Sequence, residues 1–148
     1  RGEVESHFSA PPSSAYELKT IKSAHTVLLS SDIIGGPLTQ GQFFASTKFA
    51  DANPKIIEAI KAATLEAIAF IKSDTPAAVE IYRELSKDKH SSEELLDVLK
   101  QPGMMDYLAA PQGTMKFAAH LYKIGTLKTM PKAWTDYYLP SSKDLNGN

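Results

Sequence analysis

Apolar and polar residues alternate at the start of the chain, with Val4, Ser6 and Phe8 set against Glu5, His7 and Ser9. This period of two predicts a short strand that ends at Pro11 and Pro12, where ladder donors are lost. Ser14 followed three residues later by Glu17 has the form of a capping box, which predicts a short helix over about Ala15 to Lys22. A continuous apolar run, Thr26 to Leu29, predicts a second strand of the kind buried on both faces of a parallel sheet. Ser30 to Gly41 is rich in turn formers, with Gly35, Gly36 and Pro37 in a row, and separates that strand from a third, Gln42 to Ser46. A lobe boundary is expected in this turn-rich stretch.

Beyond residue 50 the period lengthens. Asn53-Pro54 supplies an N-cap and a first-turn proline, and Ile56, Ile60, Thr64, Ala67 and Ile71 then recur at helical spacing, predicting one long helix. Thr75-Pro76 starts another, with Val79, Tyr82 and Leu85 on one face. Ser91 with Glu94 caps a third, which carries Leu95, Val98 and Leu99 and ends before Pro102-Gly103. A fourth is expected from Gln112 to Ile124, with Met115, Ala118, Ala119 and Tyr122 inward and Gly125 just past its end. The polar tail from Ser141 onward is expected to be loose.

Three strands followed by four helices do not close a sheet with both faces covered, because parallel strands need crossovers and neighbours on each side. The expectation is therefore that part of the protein lies upstream. No repeat with a period of roughly 20 to 50 residues is visible, which argues against a helical solenoid.

Composition narrows the partners more than it narrows the fold. With 148 residues, 43% of them hydrophobic and 22% charged, the chain falls in the range of an ordinary globular domain. A net charge of -1 gives no electrostatic footprint for nucleic acid and no basic face for anionic lipid. The absence of Cys removes disulfides, thiolate nucleophiles and cysteine-ligated zinc together. No run approaches the roughly 18 apolar residues of a membrane helix. The start, Arg-Gly-Glu-Val-Glu, has neither an initiator Met nor the apolar core of a signal peptide, so the chain is expected to begin inside a longer protein.

Candidate chemistry is sparse. His7, His25, His90 and His120 are dispersed, and none sits in a zincin-like arrangement, so structural or solvated roles are expected and no metal or cofactor is called for. His7 stands apart because it lies near the end of the first predicted strand, where open α/β sheets place ligand groups. Ser13-Ser14 and Ser30-Ser31 lack the strand-turn-helix context of a hydrolase nucleophile and read as caps or turns. Gly35-Gly36 has no phosphate-loop surroundings and reads as a flexible turn, with a hinge as the alternative. Trp134, Tyr137 and Tyr138 beside Asp136 read as a segment packed across a core edge, with a stacking ledge as the alternative. Glu93-Glu94 lie in the first turn of a predicted helix, where the macrodipole favours them.

Taken in order, the segments Gly2 to Pro12, Thr26 to Leu29, Phe43-Phe44-Ala45-Ser46, Phe49 to Pro54 with its long helix, Ala67 to Ile71 and Asp74 to Ala78 resemble the nitrate, sulfonate and taurine solute-binding proteins of ABC importers. The resemblance covers nearly the whole chain and rests on order and spacing rather than on one motif. It implies an α/β fold, the C-terminal portion of a two-lobed periplasmic-binding-protein architecture of type II, helix-rich after about residue 50. By that resemblance residues 1–38 would belong to the second lobe and residues 39–148 would return to the first, with Gln40 to Phe44 as the crossing. The N-terminal half would be absent.

What the resemblance implies for function is capture of a small solute in an interlobe cleft, in the periplasm, for an ABC permease of the inner membrane, with no catalysis. Many relatives carry an aromatic-acid-proline trio where this chain reads Ala10-Pro11-Pro12. Without that acid a buried ammonium group would lack its partner, so an uncharged or anionic solute is expected. Ser13 and the amides opening the next helix could donate to such an anion. Because α/β sheets bind ligands beyond the carboxyl ends of their strands, His7, Ser9, Ala10, Pro11 and Ser13 are expected at the site, with Gly36 and Gln40 near the crossing. The rival readings are a thiamine-pyrimidine-synthase-like enzyme of the same fold, whose signature is not in this segment, and a non-catalytic helical interaction module. Missing strands would leave apolar surface and strand edges open, so the isolated fragment is expected to self-associate.

Overall fold

The computed structural model describes residues 3–148, which leaves Gly2, the first residue of the resembling segments, outside the description. Seven α-helices account for most of the regular structure: α1 Ser13–Thr20, α2 Ser30–Ile34, α3 Thr47–Ala52, α4 Pro54–Ser73, α5 Thr75–Ser86, α6 Ser92–Leu99 and α7 Thr114–Lys123, with short 3-10 turns at Trp134–Asp136 and Pro140–Ser142. Among the described residues there is no β-strand.

The expected α/β architecture, and with it the C-terminal portion of a two-lobed periplasmic-binding fold, is therefore corrected. The segments expected as strands carry the right side chains but find no ladder partner. Phe8 is 105% exposed, Val27 79%, Phe43 82% and Phe44 97%. Side-chain pattern decides which residues would face a core. A strand forms only where a second strand offers its amides and carbonyls, and no such neighbour exists among the described residues.

Helix boundaries follow local chemistry closely. Asp74 caps α5 by accepting from Ala77 N–H at 3.1 Å. Ser91 and Glu94 form the reciprocal capping box at α6, with bonds of 3.2 Å and 3.0 Å. At the end of α7, Gly125 at φ 79° lets its N–H reach Tyr122 O and the Thr126 N–H reach Leu121 O, a Schellman closure. The box expected at Ser14 and Glu17 does not form, because α1 begins at Ser13 directly behind the prolines and takes Ser14 inside the helix. Helix α2 lies where a turn-rich stretch was expected, and helix α3, capped by Ser46 on Phe49 N–H at 3.2 Å, follows directly on the segment expected as the third strand.

The chain divides into two compact units that interleave in sequence. One holds the N-terminal stretch through Val27 together with Asp74–Asp106, and the other holds Leu28–Ser73 with Tyr107–Asn148. In the first unit α5 packs on α6, and its buried apolar residues are Val79, Leu95 and Val98. In the second, Ala50, Pro111 and Ala118 are buried apolar residues, and Thr114 is buried as well.

Helix α4 is turned away from its expected face. The half-buried stripe is Ile57, Lys61, Thr64, Ile68 and Ile71, whereas Ile56 and Ile60 are 46% and 40% exposed. A lysine sets this rotation. Lys61 Nζ donates to Ser141 O at 2.7 Å and to both oxygens of Asp144 at 2.7 and 2.9 Å, which turns its side of the helix toward the C-terminal segment. The seam of Ile56, Ile60, Ala63, Ala67 and Phe70, at alternating spacings of four and three, stays uncovered.

The tail expected to be loose is anchored in the same unit. Asn148 N–H donates to Pro111 O at 2.9 Å, and Asn148 O accepts from Thr114 N–H at 3.1 Å and Thr114 Oγ1 at 2.8 Å. Tyr137 Oη in turn donates to Thr114 Oγ1 at 2.9 Å.

Leu95 is buried on α6 and Leu96 of the same helix is half-buried. Leu95→Ala is expected to cost about 2–4 kcal/mol by cavity formation, and Leu96→Ala about 1 kcal/mol or less, read from urea unfolding curves. Equal losses would show that α6 does not bury one face in preference to the other.

Candidate functional site

The sequence-expected site residues fall in two places. His7, Ser9, Ala10, Pro11 and Ser13 belong to the first unit, and Gly36 and Gln40 to the second. His7 Nε2 lies 3.2 Å from Glu17 Oε2. Ser9, Ala10, Pro11 and Ser13 are exposed. In the first turn of α1, Ser14 N–H donates to Ala10 O, and the Ala15 and Tyr16 N–H groups to Pro12 O. Ser9 and Ser13 are both exposed polar side chains at this turn. Gly36 has φ 149°, a backbone conformation that favours glycine, and Gln40 is exposed.

The densest polar arrangement of the first unit lies elsewhere, where α5 gives way to α6. Helix α5 ends at Ser86, Lys87 after it takes the left-handed conformation at φ 57°, and the chain then turns through Asp88 and His90 into the Ser91 cap. Asp88 Oδ1 accepts from the His90 backbone N–H at 2.9 Å and lies 2.7 Å from His90 Nδ1, while Oδ2 accepts from Tyr82 Oη at 3.1 Å. The His90 ring stacks on Tyr16 of α1, with centroids 3.6 Å apart and planes 5° from parallel. Arg83 closes the arrangement from α5, donating through Nε to His90 O at 3.0 Å and through Nη1 to Ser92 Oγ at 2.7 Å and Glu80 Oε2 at 3.0 Å. Ser92 Oγ also donates to Glu80 Oε1.

These contacts set the charges. The backbone amide of His90, then its ring, then Tyr82 hold the Asp88 carboxyl below the usual carboxylate range. The Ser91 amide and hydroxyl do the same for Glu94, with Lys19 adding at 3.8 Å. Ser92 and then Arg83 lower Glu80. Burial, followed by the charges of Asp88 and Glu94, raises the phenol of Tyr16, whose hydroxyl is sealed from solvent without a hydrogen-bond partner.

A carboxylate on Nδ1 orients a histidine as it does in a catalytic dyad, leaving Nε2 as the second nitrogen. The neighbouring hydroxyls, Ser91 and Ser92, donate to Glu94 and Glu80. The arrangement joins α1, α5 and α6. Among the described residues no three His, Cys, Asp or Glu side chains are placed to hold a metal ion, and no helix is long and apolar enough to cross a membrane.

A cavity of about 560 Å³ opens on the other side of α6. Leu96, Leu99 and Met105 give its lining an apolar part, and Thr75, Glu93, Asp97 and Lys100 a polar one. The volume lies in the range of small-molecule sites. Reading the sequence missed both features. Asp88 and His90 were separable from the dispersed histidines only by their spacing of two directly before the Ser91 cap, and Leu99 was expected to face the core. No family model, curated protein or solved structure matches the chain.

Because the folded-state pKa of Asp88 is depressed, its contribution to stability is present above the unfolded carboxylate value, near pH 4, and is lost as pH falls through the lower folded value. Asp88→Asn is expected to be less stable than the parent at pH 7, with the gap shrinking below about pH 4. Chemical unfolding at a series of pH values measures this. A gap that does not change with pH would mean that the ionised form of Asp88 does not bind the turn.

Proposed function

We propose that the chain is part of the solute-binding component of an ABC importer, capturing a small uncharged or anionic organic solute in the periplasm for delivery to a membrane permease. The observation that carries this reading is the ordered series of segments, Gly2 to Pro12 through Asp74 to Ala78, that resemble the nitrate, sulfonate and taurine solute-binding proteins. Two features of the structure support binding as the task. The Ser13 hydroxyl at the start of α1 faces solvent, and the first unit contains a cavity of a size suited to a small organic molecule. On this reading the protein needs no cofactor, and its work is recognition without covalent chemistry.

A solute contact is assigned to Ser13 in the first unit. Calorimetric titration of the protein with nitrate and with methanesulfonate provides the measurement. Ser13→Ala is expected to weaken binding of the preferred anion by about tenfold, the loss of a hydrogen bond to a charged group. Unchanged affinity in this variant would remove Ser13 from the site.

The same reading includes self-association of the isolated chain, supported by the uncovered α4 seam of Ile56, Ile60, Ala63, Ala67 and Phe70. Sedimentation equilibrium at micromolar concentration should show dimers or larger species. Ile60→Glu, an exposed position, should weaken association by about tenfold. A parent chain that is monomeric throughout the concentration range would contradict this.

A further inference from the structure

We infer that the cavity on α6 is a binding site for a small organic cation with an apolar body, such as an alkylammonium or arylammonium ion. The site is separate in its residues from the Ser13 contact proposed above, and it goes beyond that reading. Its shape follows from how α6 distributes its side chains. Leu95 and Val98 are buried toward α5, while Leu96 and Leu99 flank the opposite side with Met105 from the segment that follows the helix. Those three side chains offer an apolar, adaptable wall, the thioether of Met105 being the softest part of it.

The charge of the ligand follows from the edge. Lys100 Nζ is held by Asp97 Oδ1 at 2.8 Å, and this pair neutralises itself: hydrogen bonding and then charge lower the Asp97 carboxyl and raise the Lys100 ammonium. Glu94 next door is spent on the Ser91 cap. Glu93 makes no hydrogen bond or ion pair among the described residues and acts on Lys100 through its charge alone, so Glu93, Asp97 and Lys100 together leave one net negative charge beside the apolar lining of the cavity. An ammonium group at Glu93 with its hydrocarbon on Leu96, Leu99 and Met105 satisfies both surfaces together. A carboxylate ligand of the same shape would meet Glu93 as a like charge, and an alcohol would gain the apolar contact alone.

The test uses the whole chain, labelled with carbon-13 at the methionine methyls, and three probes of matched length: hexylammonium, hexanol and hexanoate. Met105 reports the cavity, and Met115 and Met130, which belong to the other unit, serve as internal references. The expected result is a saturable shift of the Met105 methyl, with hexylammonium binding roughly fivefold more tightly than hexanol and hexanoate the weakest. Glu93→Gln should bring hexylammonium to the level of hexanol while leaving the hexanol titration unchanged, and Glu93→Lys should move hexanoate ahead of hexylammonium. Absence of a Met105 shift with all three probes, equal shifts at all the methionines, or an unaltered order in Glu93→Gln would each overturn the assignment. None of these outcomes bears on anion binding at Ser13, which is read separately by calorimetry.

Discussion

Backbone amides and carbonyls must be paired or solvated, and in this chain they are paired almost entirely within a few residues of one another. Every regular element among the described residues is therefore a helix or a turn. Where local pairing is favourable, with a cap at Asp74 or Ser91 and an apolar face to bury, the helix is long and well bounded. Where it is not, as in residues 4–9 and 42–46, the backbone stays irregular and its aromatic side chains remain in solvent. The same constraint explains why apolar burial is modest. Helices cover one another in pairs, and the buried apolar residues of each unit are few: Val79, Leu95 and Val98 in one, Ala50, Pro111 and Ala118 in the other.

Polar contacts take over part of the organising role that a larger core would fill. In the first unit the Asp88 carboxylate gathers the His90 amide, the His90 ring and Tyr82, and Arg83 ties the same turn to Ser92 and Glu80. Tyr16 then lays its ring on His90 and brings α1 to the junction. In the second unit Lys61 selects the face of α4 that meets Ser141 and Asp144, and Asn148 closes on Pro111 and Thr114. Charge-assisted bonds of this kind are directional, so they fix helix rotation where apolar faces alone would leave a choice.

The division of roles on α6 shows how a cavity arises beside so short a helix. A helix of eight residues has room for one buried face, and Leu95 with Val98 fill it. Leu96 and Leu99 are then left beside Met105 as the wall of a cavity, and the first-turn carboxylates are sorted by the cap, which engages Glu94 and leaves Glu93. Solute recognition in the proposed importer component and amine recognition on α6 draw on different residues, and neither asks a side chain to act as a nucleophile.

Local signals were legible in the sequence because they act within one turn of helix. Asn53-Pro54, Thr75-Pro76, the Ser91 and Glu94 box and Gly125 announced the starts and stops of α4, α5, α6 and α7, and the structure places those helices within about two residues of expectation. The candidate site was barely legible: His90 looked like one dispersed histidine among four until Asp88, Tyr16, Tyr82 and Arg83 were brought around it. Strand formation, the rotation of α4 and the anchoring of the tail were tertiary decisions. Each depends on a partner distant in sequence, whether a second strand that is not found among the described residues, Asp144 for Lys61, or Pro111 and Thr114 for Asn148. A pattern of apolar residues states what a segment could bury, and only the presence or absence of that distant partner decides whether it does.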